Sequence, residues 1–205
     1  MTMTLHWSPR SPFVRKVMIG AHEKGLADQI SCIPTAVPTD DRDHPIFRDN
    51  PLGRIPTLVL RDGGTVHGSS VICEYFDSLV EDPPLFPRDR QARLETRKRE
   101  ALGDGLMETL YGWMVERLHP SDRSAAVIAR QSHKLRRTLA VLDQQAEGLS
   151  AVPFDVGAIA IASALSYLEF RLSSESWRDE HPALAQWFDA ATERDSMRKT
   201  VLRDT

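Results

Sequence analysis

Thr57-Leu58-Val59-Leu60-Arg61-Asp62-Gly63-Gly64-Thr65-Val66-His67-Gly68-Ser69-Ser70-Val71-Ile72-Cys73-Glu74-Tyr75 reads as strand, turn, strand and helix in one pass. Thr57-Leu58-Val59-Leu60 is a compact apolar strand. Asp62-Gly63-Gly64 is a hairpin signal, and Thr65-Val66-His67 is the returning strand. Ser69 then opens a helix with Val71, Ile72, Tyr75, Phe76 and Leu79 along one stripe. Upstream, Met3-Thr4-Leu5-His6-Trp7 has strand character. Pro12 to Lys24 places Phe13, Val14, Val17, Met18 and Ala21 at helical spacing, and Gly25 ends the run. Ile30-Ser31-Cys32-Ile33-Pro34 reads as a second strand, parallel to the first across the intervening helix. Pro34 to Asn50 is rich in Pro, Asp and Thr and is expected to be a loop with at most a short helix.

A parallel β-α-β half followed by an antiparallel hairpin half is the order of a thioredoxin-like sheet. Downstream, Glu81-Asp82-Pro83-Pro84-Leu85-Phe86-Pro87 carries three prolines in five positions, which excludes helix and marks a linker. Everything after it has helical periodicity. Arg88 to about His119 is long and charged, with Leu94, Ala101, Leu102, Leu106, Leu110 and Trp113 expected inward. Asp122 to Glu147 repeats the pattern through Val127, Ile128, Leu135, Leu139 and Leu142. Pro153 to about Arg171 is apolar all round and should be the central helix of this part; Pro182 to Thr192 is a short amphipathic one. The expected fold class is α/β plus all-α. Residues 1–80 form a thioredoxin-like domain, 81–88 a linker and 89–205 an all-helical domain.

The 205 residues are 41% hydrophobic and 27% charged, with a formal net charge of −3. That balance describes a soluble globular chain and gives no support to nucleic-acid or membrane-surface binding. The longest apolar stretch, about Val156 to Leu168, falls short of the ~20 residues a membrane span needs. No basic segment followed by an apolar one opens the chain, so a cytoplasmic location is expected. Two cysteines, Cys32 and Cys73, stand in no metal-ligand or CxxC spacing; they are expected to be buried thiols, and no metal is expected. No GxxxxGK[ST] or GxGxxG motif is present.

Three stretches have chemical potential. Ser8-Pro9-Arg10-Ser11-Pro12-Phe13-Val14-Arg15-Lys16 stands where the first strand meets the first helix. Ser11 suits the N-cap and Pro12 the first helical position, and a helix start favours an anion. A capping role alone is as good a reading, and solvation suits Arg10 and Arg15. Asn50-Pro51-Leu52-Gly53-Arg54-Ile55-Pro56 precedes the third strand. A cis Ile55-Pro56 bond would turn the Ile55 main chain outward, yet trans is by far the commoner state of X-Pro bonds. His67-Gly68-Ser69-Ser70 is a second strand-to-helix handover, open to reading as a capping pair or as a carboxylate site.

In order and flanking residues, these stretches resemble the glutathione S-transferase family, in particular its serine-type bacterial members. Phe154-Asp155-Val156-Gly157-Ala158-Ile159-Ala160 resembles that family's central-helix motif. The likeness covers essentially the whole chain. It implies a thioredoxin-like domain that binds glutathione as co-substrate, a second small electrophilic substrate, and a homodimer. The residues it carries over are Ser11 as the catalytic hydroxyl and Phe13, Arg54, Ile55, Pro56, Gly68, Ser69 and Ser70 around glutathione, with Ser8 as the alternative to Ser11. Related redox proteins have cysteine where Ser11 stands, and a hydroxyl cannot form a mixed disulfide. The implied role of Ser11 is to donate a hydrogen bond to the glutathione thiolate. Ile55 would pair with the tripeptide main chain, Arg54 would reach the glycyl carboxylate and Ser69 the γ-glutamyl carboxylate. Trp7, Met107, Tyr111 and Met114 are candidates for lining the electrophile site, and equally for plain core. Two departures from the family pattern stand out. Gly68 replaces a common acidic residue, for which Asp104 is a possible substitute. Val152 replaces a Ser or Thr helix cap, with Pro153 and Asp155 as compensation.

Overall fold

The computed structural model describes residues 2–37, 41–118, 124–173 and 175–204. Two compact units emerge: Met1–Phe86 joined by Lys199–Thr205, and Pro87–Arg198.

The first unit holds β1 (Met3–Trp7), α1 (Pro12–Glu23), β2 (Ile30–Pro34), β3 (Thr57–Val59), β4 (Thr65–His67) and α2 (Ser69–Leu79). The sheet order is β2-β1-β3-β4, with β1 and β2 parallel and the other pairs antiparallel. Leu5, Val14, Val17, Leu58, Ile72 and Phe76 fill its core. The α2 stripe is narrower than its periodicity predicts: Val71 and Leu79 are exposed while Ile72 and Phe76 are fully buried. Cys32 is exposed rather than buried, because β2 is an edge strand open to solvent; Cys73 is buried as expected. The Pro-rich segment is tied down by one carboxylate. Asp77 accepts from Lys24 Nζ (2.9 Å) and from the backbone N–H groups of Leu85 (2.7 Å) and Phe86 (3.3 Å). Lys24 Nζ also donates to the Pro83 carbonyl at 2.7 Å, which satisfies a buried ammonium. The Asp82-Pro83 bond is cis.

The second unit is helical: α3 (Arg90–Leu118), α4 (Ala125–Gln144), α5 (Ala146–Ser150), α6 (Val156–Arg171), α7 (Trp177–Glu180), α8 (Pro182–Thr192) and α9 (Asp195–Arg198). The helix ends expected at His119 and Asp122 lie outside the described residues. Every residue of α6 from Val156 to Leu168 is buried, as its uninterrupted apolar character requires. Gly103 lets α3 and α6 touch: a Cβ there would lie 2.6 Å from the Ala160 carbonyl carbon. Two expectations are corrected. Leu94 (53% exposed) and Ala101 face solvent, and the buried positions of that part of α3 include Thr96, Glu100 and Gly103. The α6 cap is Asp155 itself, so the helix starts at Val156 and not at Pro153. Asp155 Oδ1 accepts from Ala158 N–H (3.0 Å); Oδ2 accepts from Thr96 Oγ1 (2.6 Å) and the Arg99 guanidinium (2.7 Å). A Ser or Thr at position 152 is not what this helix start uses. Among the described residues no helix is long and apolar enough to cross a membrane.

Candidate functional site

The sheet register gathers the three stretches. His6 pairs with Thr57, and Thr57 with His67. The end of β1, the start of β3 and the end of β4 therefore share one edge of the sheet. The Ser8–Ser11 turn, the Ile55-Pro56 bond and the start of α2 follow from those ends.

Ser11 caps α1. Its backbone is extended, and its Oγ accepts from Val14 N–H at 3.3 Å. A hydroxyl has one proton and two lone pairs, so capping leaves the Ser11 O–H able to donate. Ser11 N–H donates to the Ser8 carbonyl (3.3 Å), and Ser8 Oγ accepts from Arg10 N–H (3.4 Å), which closes the turn. Phe13 is half-buried in the first turn of α1. Arg10 is exposed, as solvation predicts, but Arg15 is buried: it lies on the packed side of α1.

The Ile55-Pro56 bond is cis, against the base-rate expectation and in line with the family resemblance. Asn50, 2% exposed, builds the loop around it. Its Nδ2 donates to the Arg54 carbonyl (3.0 Å) and to Thr57 Oγ1 (2.9 Å), while its Oδ1 accepts from Leu52 N–H (2.9 Å). Thr57 Oγ1 in turn donates to the Arg54 carbonyl at 2.7 Å. The Asn50 donors thus fix the Arg54 peptide, leaving the Arg54 side chain exposed and Ile55 half-buried. Asp49 is held from two strands. His6 Nε2 donates to its carboxylate (2.9 Å), and His67 Nε2 to its carbonyl (2.8 Å). His6 Nδ1 meets Thr35 Oγ1 at 2.9 Å.

At the start of α2 the capping reading is overturned. Gly68 is the cap residue, no side chain caps the helix, and Ser69 is already its first residue. Ser69 is buried and Ser70 half-buried. Ser70 Oγ accepts from Lys16 Nζ at 3.1 Å, so a fully buried lysine links α1 to α2 behind the helix starts. Gly68 has φ 82° and ψ 137°. A Cβ would find open space there, but L residues rarely adopt that backbone. The residue preceding Ser69 is thus glycine for a conformational reason, which opposes an acidic side chain at this position.

Sequence reading did not single out Asn50, Thr57, His6, Asp49 or Lys16. Their partners lie as far as 54 positions away in sequence, from Lys16 to Ser70, so no local period marks them. The within-stretch spacing of Asn50 to Thr57 was the one available signal. Among the described residues no cluster of His, Cys, Asp or Glu is suited to hold a metal ion.

A thioredoxin-like sheet with a helix start, a cis-proline and a second helix start on one edge, followed by an all-helical unit, defines the glutathione transferase architecture. Comparison with known proteins agrees. Residues 10–79 match the glutathione S-transferase N-terminal domain and residues 125–190 its C-terminal domain. The chain is 34% identical over 202 residues to the uncharacterized GST-like protein YibF of Escherichia coli K12, covering 97% of this chain and 98% of that one. A glutathione transferase family member from Pseudomonas fluorescens Pf-5, solved with bound glutathione, superposes with a TM-score of 0.94 at 36% identity, over 98% of this chain and 100% of that one. A glutathione S-transferase from Methylobacillus flagellatus KT, also solved with glutathione, gives 0.90 at 33% identity, over 98% and 100%. The chain belongs to the glutathione S-transferase family.

Proposed function

We propose that this protein is a glutathione transferase that stabilises the glutathione thiolate for attack on a small electrophile with an apolar body. The observation that supports it most is the Ser11 hydroxyl, which caps α1 through a lone pair and keeps its proton for a sulfur anion. A thiol with a free pKa of about 8.5 is a few per cent thiolate at pH 7. Lowering it by about two units takes ~2.7 kcal/mol of preferential stabilisation. One charge-assisted hydrogen bond together with the partial charge of a helix start supplies that order of energy. Attack forms the sulfur–carbon bond with the thiolate electron pair; in a substitution the leaving group departs with the electrons of the bond that breaks, and in an addition the displaced π pair takes a proton from solvent.

In this reading the cysteinyl main chain pairs with Ile55 beside Pro56, Phe13 and Arg54 border the tripeptide, and Arg54 takes the glycyl carboxylate. Ser69 and the N–H groups at the start of α2, with Gly68 and Ser70 beside it, receive the γ-glutamyl carboxylate. The absence of a carboxylate at Gly68 weakens the hold on the α-amino group by about 1–3 kcal/mol relative to a family member that has one. The same thiolate would serve an isomerase, dehalogenase or peroxidase reaction, and a substrate panel separates those from conjugation.

The test is calorimetric titration of glutathione into wild type and Ser11→Ala at neutral pH, with thiolate absorbance followed near 240 nm. Wild type should bind at micromolar to millimolar Kd with a thiolate signal that Ser11→Ala loses. A thiolate signal that survives in Ser11→Ala and disappears in Ser8→Ala would transfer the role to Ser8. No binding at millimolar glutathione would make the protein a scaffold for another ligand.

A further inference from the structure

We infer that Asp49 is a positioning residue for glutathione, setting the loop that carries Ile55 against the start of α2 so that one tripeptide reaches both; this rests on the transferase reading. The register aligns the ends of β1, β3 and β4, but the chain between Thr35 and Pro56 lies outside the sheet. Its placement at that edge depends on the bonds it makes. The Asn50 side chain bonds within the loop and to Thr57 at the start of β3. Asp49 bonds to the two strands that flank β3.

All three polar parts of Asp49 are used. Its N–H donates to the Ile46 carbonyl at 3.0 Å, closing the 3₁₀ turn Pro45–Arg48, in which Ile46 is fully buried. Its carboxylate accepts from His6 Nε2 at 2.9 Å and its carbonyl from His67 Nε2 at 2.8 Å. The His6 ring is held from its other side as well. His6 Nδ1 meets Thr35 Oγ1 at 2.9 Å, and Thr35 N–H donates to the Trp7 carbonyl at 2.8 Å. His6 is only 8% exposed, so little water competes for that ring. Each partner adjoins one part of the candidate site. His6 precedes the Ser8–Ser11 turn by two residues, Asp49 stands directly before Asn50, and His67 directly before Gly68 and Ser69.

Asp49 therefore joins the two halves of the proposed glutathione site without bordering the tripeptide. Ile55 and Arg54 take the cysteinyl and glycyl parts on one side, and Ser69 takes the γ-glutamyl carboxylate on the other. Releasing either histidine bond lets the loop sample placements in which the halves no longer match one ligand. The apparent Kd then rises by the inverse of the fraction still matched. The net strength of one hydrogen bond limits that rise to about fivefold. Ser11 lies on a different segment, so the thiolate of the glutathione that does bind keeps its donor.

The experiment is calorimetric titration of glutathione, with thiolate absorbance read at saturation, in wild type, Asp49→Ala, Asp49→Asn, His67→Phe and the double variant, each well below its unfolding transition. Asp49→Ala opens no sealed cavity, because that side chain is 34% exposed. His67→Phe keeps a ring and removes the donor to a main-chain carbonyl, so it decides the matter alone if Asp49→Ala fails to fold. Each should weaken glutathione about three- to fivefold with thiolate absorbance per bound glutathione unchanged. Asp49→Asn retains an oxygen for His6 Nε2–H and should recover most of the affinity. The double variant should lose less than the product of the single losses, because either change frees the same segment. His67 Nε2 also lies 3.2 Å from Thr65 Oγ1, and Thr65→Val, the control for that contact, should bind as wild type does. Unchanged affinity in Asp49→Ala and His67→Phe, even with a lowered Tm, would reduce Asp49 to a structural role and overturn the inference. Loss of thiolate absorbance per bound glutathione, or a double loss equal to the product, would overturn it too, the first by routing the effect through Ser11 and the second by separating the two contacts. Failure of wild type to bind glutathione would defeat the transferase reading, and this inference with it.

Discussion

Asn50→Ala is the substitution whose consequence the geometry states most fully. The side chain makes three hydrogen bonds of 2.9–3.0 Å from a nearly inaccessible position. Removing it strands the Leu52 N–H, one lone pair of the Arg54 carbonyl and the acceptor side of Thr57 Oγ1. A net hydrogen bond contributes about 1 kcal/mol, and a buried group left unpaired costs 1–3. Leu52 is 68% exposed, so water replaces one partner there. The Arg54 carbonyl keeps its bond from Thr57. The expected loss is thus ~2–3 kcal/mol, equivalent to a fall in Tm of about 4–12 °C for a chain of this size. Urea unfolding followed by far-UV circular dichroism measures it, and an unchanged m-value shows that the native surface is retained. Because the lost bonds fix the Arg54 peptide ahead of Ile55-Pro56, glutathione affinity measured below the unfolding transition should fall as well. Asn50→Asp discriminates further: it keeps the acceptor for Leu52 N–H but turns a carboxylate toward the Arg54 carbonyl, and should be no better than Ala. A loss below ~1 kcal/mol for Asn50→Ala would refute the reasoning.

Asp155→Ala removes the cap of α6 and leaves Arg99 and Thr96 without their acceptor, so a loss of about 3–5 kcal/mol is expected by chemical denaturation; a change under 1 would show that the three bonds carry little. Gly68→Ala should destabilise by ~1–2 kcal/mol through its positive φ although the added methyl meets nothing, and a neutral result in the same assay would mean that the α2 start relaxes freely. Burial, aided by Lys199 and opposed by Asp28 and Glu23, holds His22 below its ordinary value of 6.5. As pH falls the unfolded chain takes up that proton first, so stability present above pH 6.5 is lost as pH drops through the folded pKa. His22→Gln should flatten that part of the stability profile, and an unaltered slope would contradict the assignment.

Much of the first unit is legible from local pattern. Alternation and β-branched content mark β1, β2 and β3, and Asp62-Gly63-Gly64 marks the hairpin. Ser11-Pro12 marks the start of α1 to the residue, because a cap is a contact between neighbours three positions apart. The order of the candidate site along the chain was legible for the same reason. The α6 start shows the limit: Pro153 is a good first helical residue, but Asp155 has Thr96 and Arg99 to bind, and a partner about 60 positions away decides the cap.

Composition, period and capping chemistry were sufficient to establish two kinds of unit, the family likeness and the approximate bounds of most helices. Each of those properties lives within a few residues of chain. Which apolar faces would be covered was a different matter. Val71, Leu79 and Leu94 keep the helical spacing of buried residues yet face solvent, and Cys32 is exposed because its strand became an edge. The cis state of Ile55-Pro56, the burial of Lys16, the Asn50 clamp and the bond from Arg203 to Pro9 were settled only when distant segments met. A buried polar group must find a partner wherever the fold provides one. That choice is made by chain closure over tens to nearly two hundred residues, and no local period records it.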